Sequence, residues 1–212
     1  ALALHGAGSL AEAARLYKAV LKIDADHAFA LSLLGALRSQ EGDHAEAVKL
    51  LDRSLNFDRR QPLAFNAKGI ALKELKRPAE ALSCFGEAVA LKPDFAEAFC
   101  NRGNTLRDLK RYDEAIADYR RAAALAPRFA EAFYNLGLTL QDLHLDNDAL
   151  GIFAKAIAIN PAPGELRHKR SLIALRLENF VTDWSDYDSR YVGETERIPR
   201  FPTPPADWTG ED

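Results

Sequence analysis

Five histidines, two cysteines and a scattering of carboxylates are the side chains of this 212-residue chain that could do chemistry. A metal centre or an activated nucleophile needs such groups at fixed, short spacings. His5, His27, His44, His144 and His168 stand apart, with no H-E-x-x-H pattern and no Cys-paired ligand spacing among them. Solvated or packing roles are expected for all five. Cys84 and Cys100 do not make a disulfide framework and read as two reduced thiols. There is no G-x-S-x-G elbow, and no glycine-rich phosphate loop follows a strand. The acidic pair Asp113 and Glu114 falls at the start of a helical stretch, where negative charge complements the helix dipole. No catalytic residue, metal site or cofactor is therefore assigned, and this chain alone is not expected to be an enzyme.

Composition narrows the partners. Lys and Arg total 28 against 31 Asp and Glu, a formal net charge of −3. A nucleic-acid-binding domain usually carries a basic excess, so neither nucleic acid nor a membrane surface is an expected partner. No apolar run approaches the roughly 18 to 20 residues of a membrane-spanning helix. The N-terminus lacks a basic region followed by an apolar stretch, so no signal peptide is expected and a cytoplasmic location is. Hydrophobic residues make up 48% and charged residues 28%, with alanine and leucine dominant; that mixture favours helix.

The elements that would carry any site are set by a repeat. Pro93, Pro127 and Pro161 are 34 residues apart, as are Gly35, Gly69, Gly103 and Gly137, and Ala13, Ala47, Ala81, Ala115 and Ala149. Three residue types hold one period at fixed offsets, which marks a repeat array. The units run 28–61, 62–95, 96–129 and 130–163, with a partial unit at 1–27. Each unit holds two amphipathic stretches of about 14 residues; Ala115, Ile116, Tyr119 and Ala122 fall on one helical face. Polar connections such as EGDH and KRYD separate them. Two antiparallel helices per unit form a hairpin, and hairpins stack into a superhelix.

The marker residues have physical reasons. A mid-helix Gly costs about 1 kcal/mol against Ala, and close helix packing is the expected compensation. Tyr17, Leu51, Phe85, Tyr119 and Phe153 lie four residues after each marker alanine and are expected to fill the space between hairpins. Pro93, Pro127 and Pro161 follow the second helix, which Pro cannot continue. Pro78 opens a helix, where its missing N–H is tolerated.

This pattern of Phe-x-x-x-Gly, then Ala-x-x-x-Phe/Tyr-x-x-Ala, then Pro resembles the tetratricopeptide repeat (TPR) family over residues 1–163. The resemblance implies an all-α, right-handed superhelical solenoid of antiparallel helix hairpins. Arg59 and Ala25 depart from it at the terminal Pro, and Lys68 and Arg102 stand at a usually apolar position of the first helix. The resemblance also implies that the first helix of each unit, helix A, lines a concave groove. Asn66, Cys100, Tyr134 and His168 then share one register, and Asn101 and Asn135 the next. Asn104 follows, then Lys73, Arg107 and Gln141. Asparagine bonds both the C=O and the N–H of an extended peptide. The expected groove residues are Asn66, Lys73, Asn101, Asn104, Arg107, Tyr134, Asn135 and Gln141, and the expected partner is a protein or extended peptide. Glu74 and Asp108 stand beside Lys73 and Arg107, so a clamp for an acidic C-terminus is disfavoured.

Residues 164–197 continue the period weakly and are expected to form a degenerate capping hairpin, as terminal units must expose one face. Residues 198–212 carry four prolines over 199–205 and read as an extended tail or linker. Trp184, Tyr187, Arg190 and Tyr191, followed by R-F-P-x-P and by Trp208 and Gly210, resemble a junction in bacterial TPR proteins. There an array precedes a glycosyltransferase domain related to O-linked N-acetylglucosamine transferase. The resemblance implies the non-catalytic recruiting region of such a protein. The alternatives are a free-standing adaptor and a self-association module, the latter a homodimer through the uncapped N-terminal end with Leu2, Leu4 and Leu10.

Overall fold

A computed structural model describes residues 10–160 and 164–177. All ten elements among them are helices: α1 Leu10–Ile23, α2 Ala28–Gln40, α3 His44–Phe57, α4 Pro62–Glu74, α5 Pro78–Leu91, α6 Ala96–Asp108, α7 Tyr112–Leu125, α8 Ala130–Asp142, α9 Asp146–Ile159 and α10 Gly164–Arg176. Helix A of each unit (α2, α4, α6, α8, α10) has 13 residues, and helix B (α1, α3, α5, α7, α9) has 14. The second helix of the expected capping hairpin, the tail and the junction motif lie outside the described residues.

Local chemistry sets where the helices begin and end. Pro62 and Pro78 open α4 and α5. The Asp43 carboxylate accepts the Glu46 N–H at 3.2 Å, and His27 Nδ1 accepts that of Ala30 at 3.2 Å, each capping a helix start. Each turn from A to B passes through one left-handed residue, again at the 34-residue period: Gly42 (φ 87°), Lys76 (φ 60°), Lys110 (φ 59°) and His144 (φ 58°). The turn ties off the last carbonyls of helix A. After α6, the Lys110 N–H donates to Arg107 O at 2.8 Å and that of Arg111 to Leu106 O at 2.9 Å. The sequence pattern gave no sign that Lys and His stand where Gly fits best.

Each helix A packs on its own helix B, and each B on the next A, so the hairpins stack in series. Consecutive A helices also meet (α2 with α4, α4 with α6, α6 with α8), whereas consecutive B helices make no comparable contact among the described residues. The stack therefore bends with its A helices inside.

The repeat markers build the core. Ala13, Ala47, Ala81, Ala115 and Ala149 are fully buried. Leu51, Phe85, Tyr119 and Phe153 each lie against the glycine of their own hairpin, within core clusters that run on into the neighbouring hairpins. A Cβ placed on Gly69 would sit 2.6 Å from Phe85 Cε1, and one on Gly103 would sit 2.8 Å from Tyr119 Cε1. Burying the ring contributes about 2–3 kcal/mol, which outweighs the roughly 1 kcal/mol cost of a helical glycine.

The two charged departures from the pattern are paired. Arg102 grips Asp118 on α7 through two hydrogen bonds of 2.7 Å, with its guanidinium over the Phe99 ring. Asp118 stands where the other hairpins carry Leu50, Cys84 and Ile152, so two unusual residues satisfy each other. Its neighbour hydrogen bond holds the Arg102 pKa above the ordinary value, against the opposing effect of burial. Lys68 instead reaches back to Asp52 on α3, at 2.5 Å.

Candidate functional site

On α4, Leu63, Asn66, Ile70 and Lys73 follow one another at steps of three or four residues and share one helical stripe. Asn66 and Lys73 bond residues of α6, which fixes this stripe as the inner one. The same positions on α6 are Glu97, Cys100, Asn104 and Arg107, and on α8 Glu131, Tyr134, Leu138 and Gln141. Of the expected groove residues, Asn66, Lys73, Asn104, Arg107, Tyr134 and Gln141 share this stripe on three consecutive A helices, and Asn101 and Asn135 stand one position beyond Cys100 and Tyr134.

The structure links them across neighbouring hairpins. Asn101 Nδ2 donates to Asn66 Oδ1 at 3.1 Å. Asn135 Nδ2 donates to Asn104 Oδ1 at 2.9 Å and lies 3.8 Å from Cys100 Sγ. The Tyr119 hydroxyl comes up from the core to the same Asn104 oxygen, at 2.8 Å. Asn101 and Asn135, which share a register, do not bond each other; each bonds the preceding A helix. Four polar atoms remain: Asn66 Nδ2, Asn101 Oδ1, Asn104 Nδ2 and Asn135 Oδ1. None has a hydrogen bond to a described residue, and none is sealed from solvent. In chain order they alternate donor and acceptor.

The cations of the inner face are already paired. Arg107 donates to Asp142 from Nε at 3.0 Å and from Nη2 at 2.8 Å. Lys73 Nζ lies 3.8 Å from Asp108. Tyr134 and Gln141 are half-buried beside this row. Cys100 is buried beneath it, with Glu131 Oε1 4.0 Å from its sulfur. Burial first, and the Glu131 charge second, push the Cys100 thiol up to about 12. It is thus a neutral packing residue at physiological pH. Of the acidic pair at the start of α7, Glu114 takes two 2.7 Å hydrogen bonds from Arg111, which hold its carboxyl below the usual range.

Sequence reasoning missed the apolar end of the inner face. Phe29, Leu63 and Ile70 are 48%, 61% and 37% exposed. Reading the repeat register through 29, 63, 97 and 131 reveals a change from Phe and Leu to Glu and Glu. It also missed a recess of about 390 Å³ between α5, α6 and α7, lined by Leu82, Leu106 and the Arg102–Asp118 pair. Among the described residues no group of His, Cys, Asp and Glu could hold a metal ion. No described helix is long and apolar enough to cross a membrane.

Family models for the tetratricopeptide repeat match residues 4–69 and 63–95, and one described as TPR repeat matches 103–143. Among solved structures, the crystal structure of MamA is 25% identical with a TM-score of 0.67, covering 74% of this chain and 92% of that one. YrrB, described as a TPR protein with an unusual peptide-binding site, is 19% identical with a TM-score of 0.69, covering 84% and 92%. PilF of Pseudomonas aeruginosa is 23% identical with a TM-score of 0.72, covering 81% and 78%. The YrrB and PilF likenesses concern the fold alone. No curated protein matches. The period, the hairpin packing and three family models agree: residues 4–95 and 103–143 match tetratricopeptide repeats, and the described helices stack as a solenoid of such hairpins.

Proposed function

We propose that the chain is a protein-interaction scaffold that takes an extended peptide along the inner face of α4, α6 and α8. Repeat solenoids present extended concave surfaces suited to this. The carrying observation is the oriented carboxamide row, whose unbonded polar atoms run donor, acceptor, donor and acceptor in chain order, with Asn66 the most buried of the four. An extended backbone presents N–H and C=O groups in alternation, so such a row matches it without reading side chains. Pairing of Lys73 and Arg107 with the acids of the next hairpin speaks against capture of an acidic terminus. The test is affinity for peptides selected against the whole chain. Asn101→Ala with Asn135→Ala should weaken binding about tenfold, the worth of two net hydrogen bonds. Unchanged affinity removes this reading.

Within that function, the motif at Trp184, Tyr187, Arg190 and Tyr191 and again at Trp208 and Gly210 favours the recruiting region of a bacterial glycosyltransferase-like protein. Intact mass of the native polypeptide tests it. A nucleotide-sugar-binding domain after Asp212 is expected; a polypeptide without one makes this a free-standing adaptor.

Self-association is a second reading, favoured by a stripe on α1. Leu16, Val20 and Ile23 are 40%, 37% and 92% exposed on one face. Light scattering should then give a mass that rises with concentration; a constant monomer mass excludes it.

A further inference from the structure

We propose that the inner face is divided along its length, and that its partner is an extended segment of another protein with apolar residues at one end and basic residues at the other. The inference rests on the groove-binding reading above and adds the chemistry of the ligand.

The division lies at one repeat register. Phe29 on α2 and Leu63 on α4 leave about half of their surface in water, and Ile70 adds to the same strip. Contiguous exposed apolar surface of this kind marks a contact site. One hairpin later the register carries Glu97, and then Glu131. Both are exposed, and neither has a cation within ion-pair distance among the described residues. The contact of Glu131 is the neutral Cys100 thiol at 4.0 Å. Arg107 and Lys73 offer these acids no relief, being engaged by Asp142 and Asp108. The uncompensated charge of this half is therefore negative, and a concave surface concentrates its field. A basic ligand is drawn in and an acidic one repelled.

Geometry sets the spacing. Packed helices lie about 8–10 Å apart, and an extended chain rises about 3.3 Å per residue. One hairpin therefore corresponds to about three ligand residues. The expected segment has two apolar residues about three apart, opposite Phe29 and Leu63, and two basic residues at the same spacing, opposite Glu97 and Glu131.

The experiment is selection of a random peptide library displayed on phage against the whole chain, followed by titration of the enriched peptides. The expected consensus pairs apolar residues with Lys or Arg at this spacing. Glu97→Lys with Glu131→Lys should lower affinity at least tenfold, and added salt should weaken binding to the parent. Leu63→Ser with Ile70→Ser should lower affinity by a similar factor. An acidic or uncharged consensus that still depends on Asn101 and Asn135 overturns this inference and leaves groove binding standing. Failure to enrich any peptide, or enriched peptides indifferent to all of these changes, overturns both.

Discussion

The hydroxyl of Tyr119, a residue fully buried on α7, donates at 2.8 Å to the same Asn104 oxygen that Asn135 reaches at 2.9 Å. A core side chain on the outer helix thus decides which end of an inner-face carboxamide points outward. Phe85 and Phe153 hold the same position in other hairpins and lack this hydroxyl. Tyr119→Phe should cost only about 1 kcal/mol of stability. It should still weaken peptide binding severalfold, because the Asn104 amino group loses its fixed direction. Denaturant melts and titration measure the two effects, and intact affinity would remove the orienting role.

Glycines on the two helices of a hairpin should respond oppositely to alanine. Gly103→Ala drives a methyl into the fully buried Tyr119 ring and should cost about 1–3 kcal/mol. At Gly86 and Gly151 an added Cβ would meet nothing within 4 Å. Alanine there should stabilise by about 0.5–1 kcal/mol through helix propensity. Melts of the three variants check this; a stabilised Gly103→Ala would contradict the packing described.

The left-handed turn positions offer a gain. Lys110 sits at φ 59° where Gly42 serves another hairpin. Lys110→Gly should raise stability by about 1 kcal/mol, and Gly42→Lys should lower it by about as much. Equal melting temperatures for parent and variants would show that the turn carries no strain.

Arg102 and Asp118 should be worth little as a pair and much as an orphan. Asp118→Ala leaves a half-buried guanidinium beside Phe99 and should cost about 1–3 kcal/mol, less than a fully buried charge because Arg102 keeps some contact with water. Arg102→Leu with Asp118→Ile restores residues used at these registers in other hairpins. It should lie within about 1 kcal/mol of the parent. A double variant as unstable as Asp118→Ala would mean that the pair contributes beyond charge compensation.

Cys100 gives stability a pH dependence. Its folded-state value of about 12 lies above the ordinary 9.0, so above pH 9 the folded chain holds a proton that the unfolded chain releases. Its contribution is fully present below 9 and is lost as pH rises toward 12. The parent should therefore lose more stability than Cys100→Ala between pH 8 and pH 10.5, by about 1–2 kcal/mol. Parallel curves would show that the thiol is not desolvated in the fold.

The fold was legible because each marker answers a packing need that every hairpin shares. Gly103 must be small because Tyr119 is large, and the 34-residue spacing displays that pairing four times, with Leu51, Phe85, Tyr119 and Phe153 as the large residue. The inner-face asparagines were legible by register alone. Their bonding was not, because an Asn bonds one helix back or forward according to the tilt between hairpins, which no period encodes. Asn135 bonds Asn104, 31 residues back, while Asn101 bonds Asn66, 35 residues back. The Arg102–Asp118 pair escaped notice because each residue alone reads as a defect, and only their proximity resolves it. Lys76, Lys110 and His144 gave no signal because their left-handed backbone is imposed by the turn against their own preference.

The most direct test of the inner face as the binding surface is amide hydrogen exchange on the whole chain, with and without a selected peptide at saturation. Slowed exchange along α4, α6 and α8, with α3, α5 and α7 unchanged, is the predicted result. Protection confined to α5 and α7, around the recess beside Arg102 and Asp118, would place the ligand on the outer surface and contradict the account.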